Sequence, residues 1–105
     1  MTTKRKIIGL STNNQGVDEE ITWTLDVSTW PSPPPNAGAV TITVKDADGT
    51  DVTATIVPGS ITVSGNDISF QTKDGTAGHQ YRVEVKWTGN DADIYEAFGI
   101  LDFEV

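Results

Sequence analysis

Only a few side chains in this sequence are of types that perform catalysis. The single histidine, His79, lies in a glycine-containing turn, and a hydrolytic triad would need a serine and an acidic partner beside it. Ser60, Ser64 and Ser69 fall in strand or turn patterns, and none has the glycine-flanked sequence of a nucleophile elbow. We therefore interpret His79 as a surface residue and expect no enzymatic activity.

The acidic stretch Asp46-Ala47-Asp48-Gly49-Thr50-Asp51 could form a cation site, because hard cations prefer several carboxylate oxygens presented by one loop. Its glycine is fourth, whereas an EF-hand loop needs glycine at the sixth position and a later bidentate glutamate. We interpret the stretch as a hairpin turn, and likewise interpret Asp91, Asp93 and the acidic run 18–20 as turn residues. The sequence thus predicts no metal and no cofactor.

The three tryptophans could stack on sugars, since flat indole rings match the apolar face of a pyranose. Trp23 and Trp87 lie on the apolar phase of alternating segments, which predicts that both are in the core. Trp30, beside the proline-rich stretch 31–38, is the candidate for an exposed aromatic residue at a partner interface. The alternative is that Trp30 packs on the prolines at the end of the domain.

Strands must position these residues. Fifteen Thr, ten Val and nine Ile against three Leu indicate an all-β protein, because β-branched side chains suit a pleated surface. A chain of 105 residues fits one domain, and the absence of cysteine excludes disulfides, thiolate zinc sites and a cysteine nucleophile. Packing must therefore stabilise the fold.

The clearest strand follows the turn at 75–79, where apolar and polar residues alternate over 80–87. Its inward residues are Tyr81, Val83, Val85 and Trp87. A tyrosine at the start of such a strand often anchors the preceding loop through its hydroxyl. We therefore predict a structural corner formed by Gly75, Gly78 and Tyr81.

Further strands are predicted by alternation and by turn residues. Segment 20–25 directs Ile21, Trp23 and Leu25 inward, 40–45 and 51–57 form a hairpin through Asp48-Gly49, and 60–63 and 67–71 form a second hairpin. The last strand, 95–105, is expected to change register near Gly99; its predicted inward residues are Phe98, Ile100, Phe103 and Val105. About seven antiparallel strands with regular turns predict an immunoglobulin-like β-sandwich over 20–105, preceded by an N-terminal arm, 1–19.

The charge of −8 is unevenly distributed. Three of the seven basic residues are Lys4, Arg5 and Lys6, so that residues 7–105 carry four basic and fifteen acidic side chains, a net charge of −11. Such a domain repels phosphate, which argues against nucleic-acid binding. The apolar part of the arm is shorter than a signal-peptide core, and no apolar run is long enough to span a membrane.

Two motifs together resemble a group of small tailed-bacteriophage virion proteins, the fibre-tail adaptor or neck-associated type. These are Ile21-Thr22-Trp23 with Asp26-Val27-Ser28-Thr29-Trp30, and Gly75-Thr76-Ala77-Gly78-His79-Gln80-Tyr81-Arg82-Val83. The resemblance covers about residues 20–105. The chain departs from that group in the proline-rich loop 31–38 and in the acidic turn 89–93, both of which would face a partner.

The resemblance implies a non-enzymatic building block in several copies, located in the virion, and in the host cytoplasm during assembly. Its partners would be further copies and other virion proteins, of the portal, neck, capsid or fibre. The expected partner-interface residues are Lys4, Arg5, Lys6, Ile7, Ile8, Leu10 and Trp30, with the arm docking on an adjacent subunit. An adhesive or carbohydrate-binding module on a virion or cell surface is the alternative.

Overall fold

The computed structural model describes residues 3–5 and 13–105, with Thr3–Arg5 and Asn13 described by backbone pairing alone. The protein is all-β, as predicted. Its strands are β1 Thr3–Arg5, β2 Asn13–Gly16, β3 Ile21–Asp26, β4 Val40–Lys45, β5 Thr62–Ser64, β6 Asp67–Thr72, β7 Gln80–Thr88 and β8 Ile94–Glu104. One short helix, α1, spans Thr53–Ile56, and a 3₁₀ turn, Ala37–Ala39, precedes β4.

The strands form two sheets around one hydrophobic core. The smaller sheet has the antiparallel order β3-β6-β5. In the larger sheet β4, β7 and β8 are antiparallel neighbours, while β1 and β2 both pair with β8 in parallel. The described chain thus has eight strands rather than about seven, and two of their pairings are parallel.

The strongest sequence patterns are confirmed. The four predicted inward residues of β7 are buried, because they share the face of the strand that the smaller sheet covers. Strands β5 and β6 form the predicted hairpin through Gly65 and Asn66, and Gly65 has a φ of 58° that suits glycine. β3 has the predicted alternation, with Leu25 buried and Trp23 half-buried against the core.

The predicted returning strand 51–57 is wrong: a single bridge between Lys45 and Asp51 is followed by α1. The Asp51 carboxylate accepts hydrogen bonds from the backbone N–H and the hydroxyl of Thr53, which starts a helical turn. The Thr53 hydroxyl oxygen also accepts the N–H of Val44, at 2.8 Å, in place of a strand partner. Ile56 then enters the core from the helix.

The predicted inward position is confirmed for Phe103 and is wrong for Phe98, Ile100 and Val105. β8 is continuous against β7, without a register change at Gly99. The residues that it buries are Tyr95, Ala97, Gly99, Leu101 and Phe103, whereas Phe98 and Ile100 lie half-buried on the outer face and Val105 is exposed. Both phases of β8 are rich in apolar residues, so alternation alone could not distinguish them. The Arg82 guanidinium, 3.8 Å from the Phe98 ring centroid, covers that outward aromatic ring.

Part of the predicted arm belongs to the larger sheet. Thr3–Arg5 pairs with Ile94–Glu96, and Asn13–Gly16 pairs with Leu101–Glu104, both along the same edge of β8. This edge can accept short strands because β7 pairs only with the opposite edge of β8.

Candidate interaction surfaces

The structure brings the three predicted corner residues together. The Tyr81 hydroxyl accepts the backbone N–H of Thr76 at 2.9 Å and so ties the loop to the start of β7. A Cβ on Gly75 would lie 2.1 Å from the Phe103 ring, and Gly78 has a φ of 78°, so that both positions favour glycine. This corner has a structural role, because the Tyr81 hydroxyl and the Thr76 N–H bind each other within the domain.

Trp30 is in the core and is 6% exposed, which corrects its prediction as an exposed interface residue. Its ring makes edge contacts with Trp87, at a centroid distance of 5.0 Å, and with Tyr95, at 6.2 Å. Such aromatic packing favours burial of a large apolar ring over its exposure to water. The indole ring of Trp30 is therefore not accessible for stacking on a sugar.

The two loops in which the chain departs from the phage group pack against each other. The Trp87 indole N–H donates to the Ser32 carbonyl at 3.0 Å, and the Asn90 backbone N–H donates to the Pro33 carbonyl at 3.1 Å. The Tyr95 hydroxyl donates to the Asp91 carboxylate. That hydrogen bond, with burial and the negative charge of Asp91, raises the pKa of Tyr95 to about 12.

The loop carboxylates make local structural bonds. Asp46 Oδ1 accepts the backbone N–H groups of Asp48 and Thr50, closing the turn after β4, and Asp91 Oδ1 accepts that of Asp93. Nearby, an open groove of about 640 Å³ is lined partly by exposed His79 and by acidic residues. Among the residues described, no three histidine or acidic side chains are grouped to hold a metal ion.

Gln15 on β2 is a buried residue that the sequence did not indicate, and it is 1% exposed. Its amide nitrogen donates to the carbonyls of Glu19 and Thr72, each at 2.8 Å. Its amide oxygen accepts the hydroxyl of Thr72, which itself accepts the Trp23 indole N–H at 2.6 Å. These bonds join the larger sheet to the smaller one. The sequence contains no signal for this residue, because a glutamine in a polar stretch has the same neighbours whether it is buried or exposed.

The predicted basic interface is described only in part. Lys4 and Arg5 belong to β1, in register with Tyr95 and Glu96 of β8. The remaining predicted arm residues, Lys6, Ile7, Ile8 and Leu10, lie outside the described part of the chain. The structure therefore gives a backbone contact at the edge of β8 within one copy of the chain.

The outer face of the larger sheet carries charges of both signs. Lys45, Arg82 and Lys86 project from the outer face of β4 and β7. Glu84 on the same face forms an ion pair with Arg82 at 3.5 Å, and Glu96 of β8 is in register with Lys86. The outer face of β3, β5 and β6 carries hydroxyl and amide side chains with Asp26 and Asp67.

No protein-family model matches this chain, and no curated protein matches it significantly. No helix within the described residues is long and apolar enough to cross a membrane. The resemblance to phage virion proteins therefore remains a prediction.

Proposed function

We propose that this protein is a non-enzymatic bacteriophage virion structural protein with an immunoglobulin-like sandwich fold. It assembles in several copies at the capsid, neck or tail-fibre attachment site. The order β3-β6-β5 opposite β4-β7-β8 supports that sandwich assignment. The described side chains best suited to chemistry are engaged in turns or are exposed singly, which supports an assembly role over catalysis.

The observation that carries the proposal is the pairing along the edge of β8. Two short segments, of three and four residues, add to this edge through backbone hydrogen bonds. Strand addition depends mainly on main-chain groups, so the same edge can accept the corresponding segment of a neighbouring copy. Exchange of an identical element between copies is a low-cost route to oligomers.

Deleting residues 1–10 tests this function. The deletion removes β1 and leaves β2 with its Gln15 bonds intact, so the variant should fold, with a melting temperature within about 4 °C of the parent. We expect incorporation into purified phage particles, measured by quantitative mass spectrometry, to be lost.

Val85→Ala, in the core on β7, is the matched control, because it lowers the melting temperature while keeping both segments that pair with β8. This variant should still enter particles at temperatures where it is folded. Normal incorporation of the deletion variant, or absence of the parent protein from purified particles, would contradict the proposed function.

A further inference from the structure

A small apolar cavity lies between the two sheets. Its volume is about 50 Å³, and the side chains around it are almost all apolar, among them Trp23, Leu25, Phe70, Val83, Val85 and Leu101. The Thr72 hydroxyl at its wall is already bonded to Gln15 and Trp23. A water molecule in this space would lack polar partners, so the cavity favours an apolar occupant.

The cavity opens at the side of the domain, along the edges of two strands. β6 and β7 contribute only inward residues to its lining, whereas β3 also contributes Thr24 and β8 also contributes Ile100, both from the outer phase. Residues of both phases can line one cavity only where it reaches the edge of their strand. For β8 this is the edge that β1 and β2 use, because β7 occupies the other edge.

The mouth of the cavity lies between the two pairings on this edge. β1 ends opposite Glu96 and β2 begins opposite Leu101, so within the described part of the chain positions 97–100 of β8 have no strand partner on that side. Gly99 is the inward residue at this point, and it brings no side chain to the core. A strand added here can supply the missing side chain.

The pairing register predicts which side chain of an added strand faces the interior. Gln15 of β2 is opposite Phe103 of β8, and both side chains are buried. Residues in register on this edge therefore share a side of the sheet, because the pleats of neighbouring strands coincide.

Extension of the β1 register places an isoleucine at the cavity. Arg5 is opposite Glu96, so extending that register along both strands brings Ile8 opposite Gly99. The branched side chain of isoleucine matches the size of the cavity, which holds about four water-sized groups. The β2 register extended backwards would place Ser11 there, and its hydroxyl would lose its hydrogen bonds to water without gaining a partner.

We propose that this cavity is a socket for Ile8 of a neighbouring copy, inserted when the N-terminal segment of that copy adds to the edge of β8. This inference rests on the proposed multi-copy assembly and names the side chain that makes the strand addition specific. The main-chain bonds of an added strand depend little on sequence, whereas a pocket for one side chain selects the partner and its register. The copies are thus joined by an apolar contact as well as by backbone hydrogen bonds.

Two substitutions at adjacent positions of the segment test the socket. Ile8→Asp directs a carboxylate at the apolar cavity and should weaken self-association at least about tenfold. Ile7→Asp is the matched control, because its position is opposite Phe98 on the outer face, and it should change self-association by less than about twofold. Sedimentation velocity over a concentration series of the full chain measures both effects.

A third variant separates insertion between copies from insertion within one copy. Gly99→Val fills the socket from β8 and keeps the segment, whereas Ile8→Asp keeps the socket. Each variant alone should associate weakly, and an equimolar mixture should form a heterodimer, because one chain supplies the segment and the other supplies the socket. Thermal melts show whether each variant is folded, and if Gly99→Val is not, the comparison of Ile7→Asp with Ile8→Asp decides.

Equal effects of Ile7→Asp and Ile8→Asp, a parent that stays monomeric, or a mixture of folded variants that associates no better than its components would overturn the proposal. These results come from purified protein. The proposed function is tested separately, by incorporation of the 1–10 deletion variant into phage particles, so the two failures are distinguishable.

Discussion

At the scale of single residues, the buried Gln15 is the structural feature that composition reveals least. Its three hydrogen bonds satisfy both ends of a buried amide and reach Thr72 on the smaller sheet and Glu19 in the following turn. A buried polar group that keeps all its partners stabilises one arrangement of strands, whereas a partly satisfied group costs stability. Gln15 thus anchors β2 to Thr72 of the smaller sheet.

Replacing Gln15 by Leu should lower the free energy of unfolding by about 2 kcal/mol, because the Thr72 hydroxyl and two carbonyls lose a buried partner. Urea denaturation followed by tryptophan fluorescence measures the loss. Asn14→Leu, at the exposed neighbouring position, is the control and should change stability by less than about 0.5 kcal/mol. Equal stability of the two variants would contradict the role of the Gln15 bonds.

At the scale of elements, β8 decides which residues face the core. It contacts β7 over nine residue pairs and receives β1 and β2 on its other edge. Tyr95, Leu101 and Phe103 face inward, and Phe103 makes an edge contact with Tyr81 at a centroid distance of 5.4 Å. The outward phase of the same strand places Phe98 and Ile100, with Glu96 and Asp102, on the outer face of the larger sheet.

The phase of β8 predicts different costs for two phenylalanine truncations. Phe103→Ala should destabilise the fold by about 3–5 kcal/mol, because it empties a buried site beside Tyr81. Phe98→Ala should cost about 1 kcal/mol, because that ring is half-buried and loses mainly its contact with Arg82. Chemical denaturation of both variants gives the comparison, and a larger loss for Phe98→Ala would show that the opposite phase is buried.

At the scale of the whole molecule, packed loops hold each end of the domain. The corner at Tyr81 closes one end. At the other end, the proline-rich loop contacts the turn between β7 and β8 through Ser32, Pro33 and Asn90. Both ends of the domain are therefore held by hydrogen bonds within the chain.

The global stability should fall at alkaline pH because of Tyr95. Its folded-state pKa, about 12, exceeds the unfolded value of 10.0, so the folded state binds the proton more tightly. The stabilisation is fully present below pH 10 and is lost as the pH rises toward 12. Thermal melts across this range should show a decline that Tyr95→Phe reduces, and an unchanged decline in that variant would contradict the assignment to Tyr95.

Asp26 and Asp51 make the stability of the fold depend on pH at acidic values. The bonds that Asp26 accepts from Ser28, and Asp51 from Thr53, lower the pKa of each carboxyl below its usual 3.8. The stability that they contribute is therefore present above that value and is lost as the pH falls through their folded-state pKa values.

The sequence by itself determined the features that depend on near neighbours. Alternation placed Tyr81, Val83, Val85 and Trp87 inward, and glycine located the turn at Gly65, because side-chain direction and turn conformation are set within a few residues. β-branched composition likewise predicted the all-β class.

Only the tertiary structure decided the features that depend on distant partners. The burial of Gln15, the parallel pairing of β1 and β2, and the inward phase of β8 each require contacts across long stretches of chain. Trp30 was equally suited to an exposed or a buried position until Trp87 and Tyr95 were placed beside it. The physical reason is that burial is a property of the assembled sheets, whereas a local pattern records only which side of a strand a residue occupies.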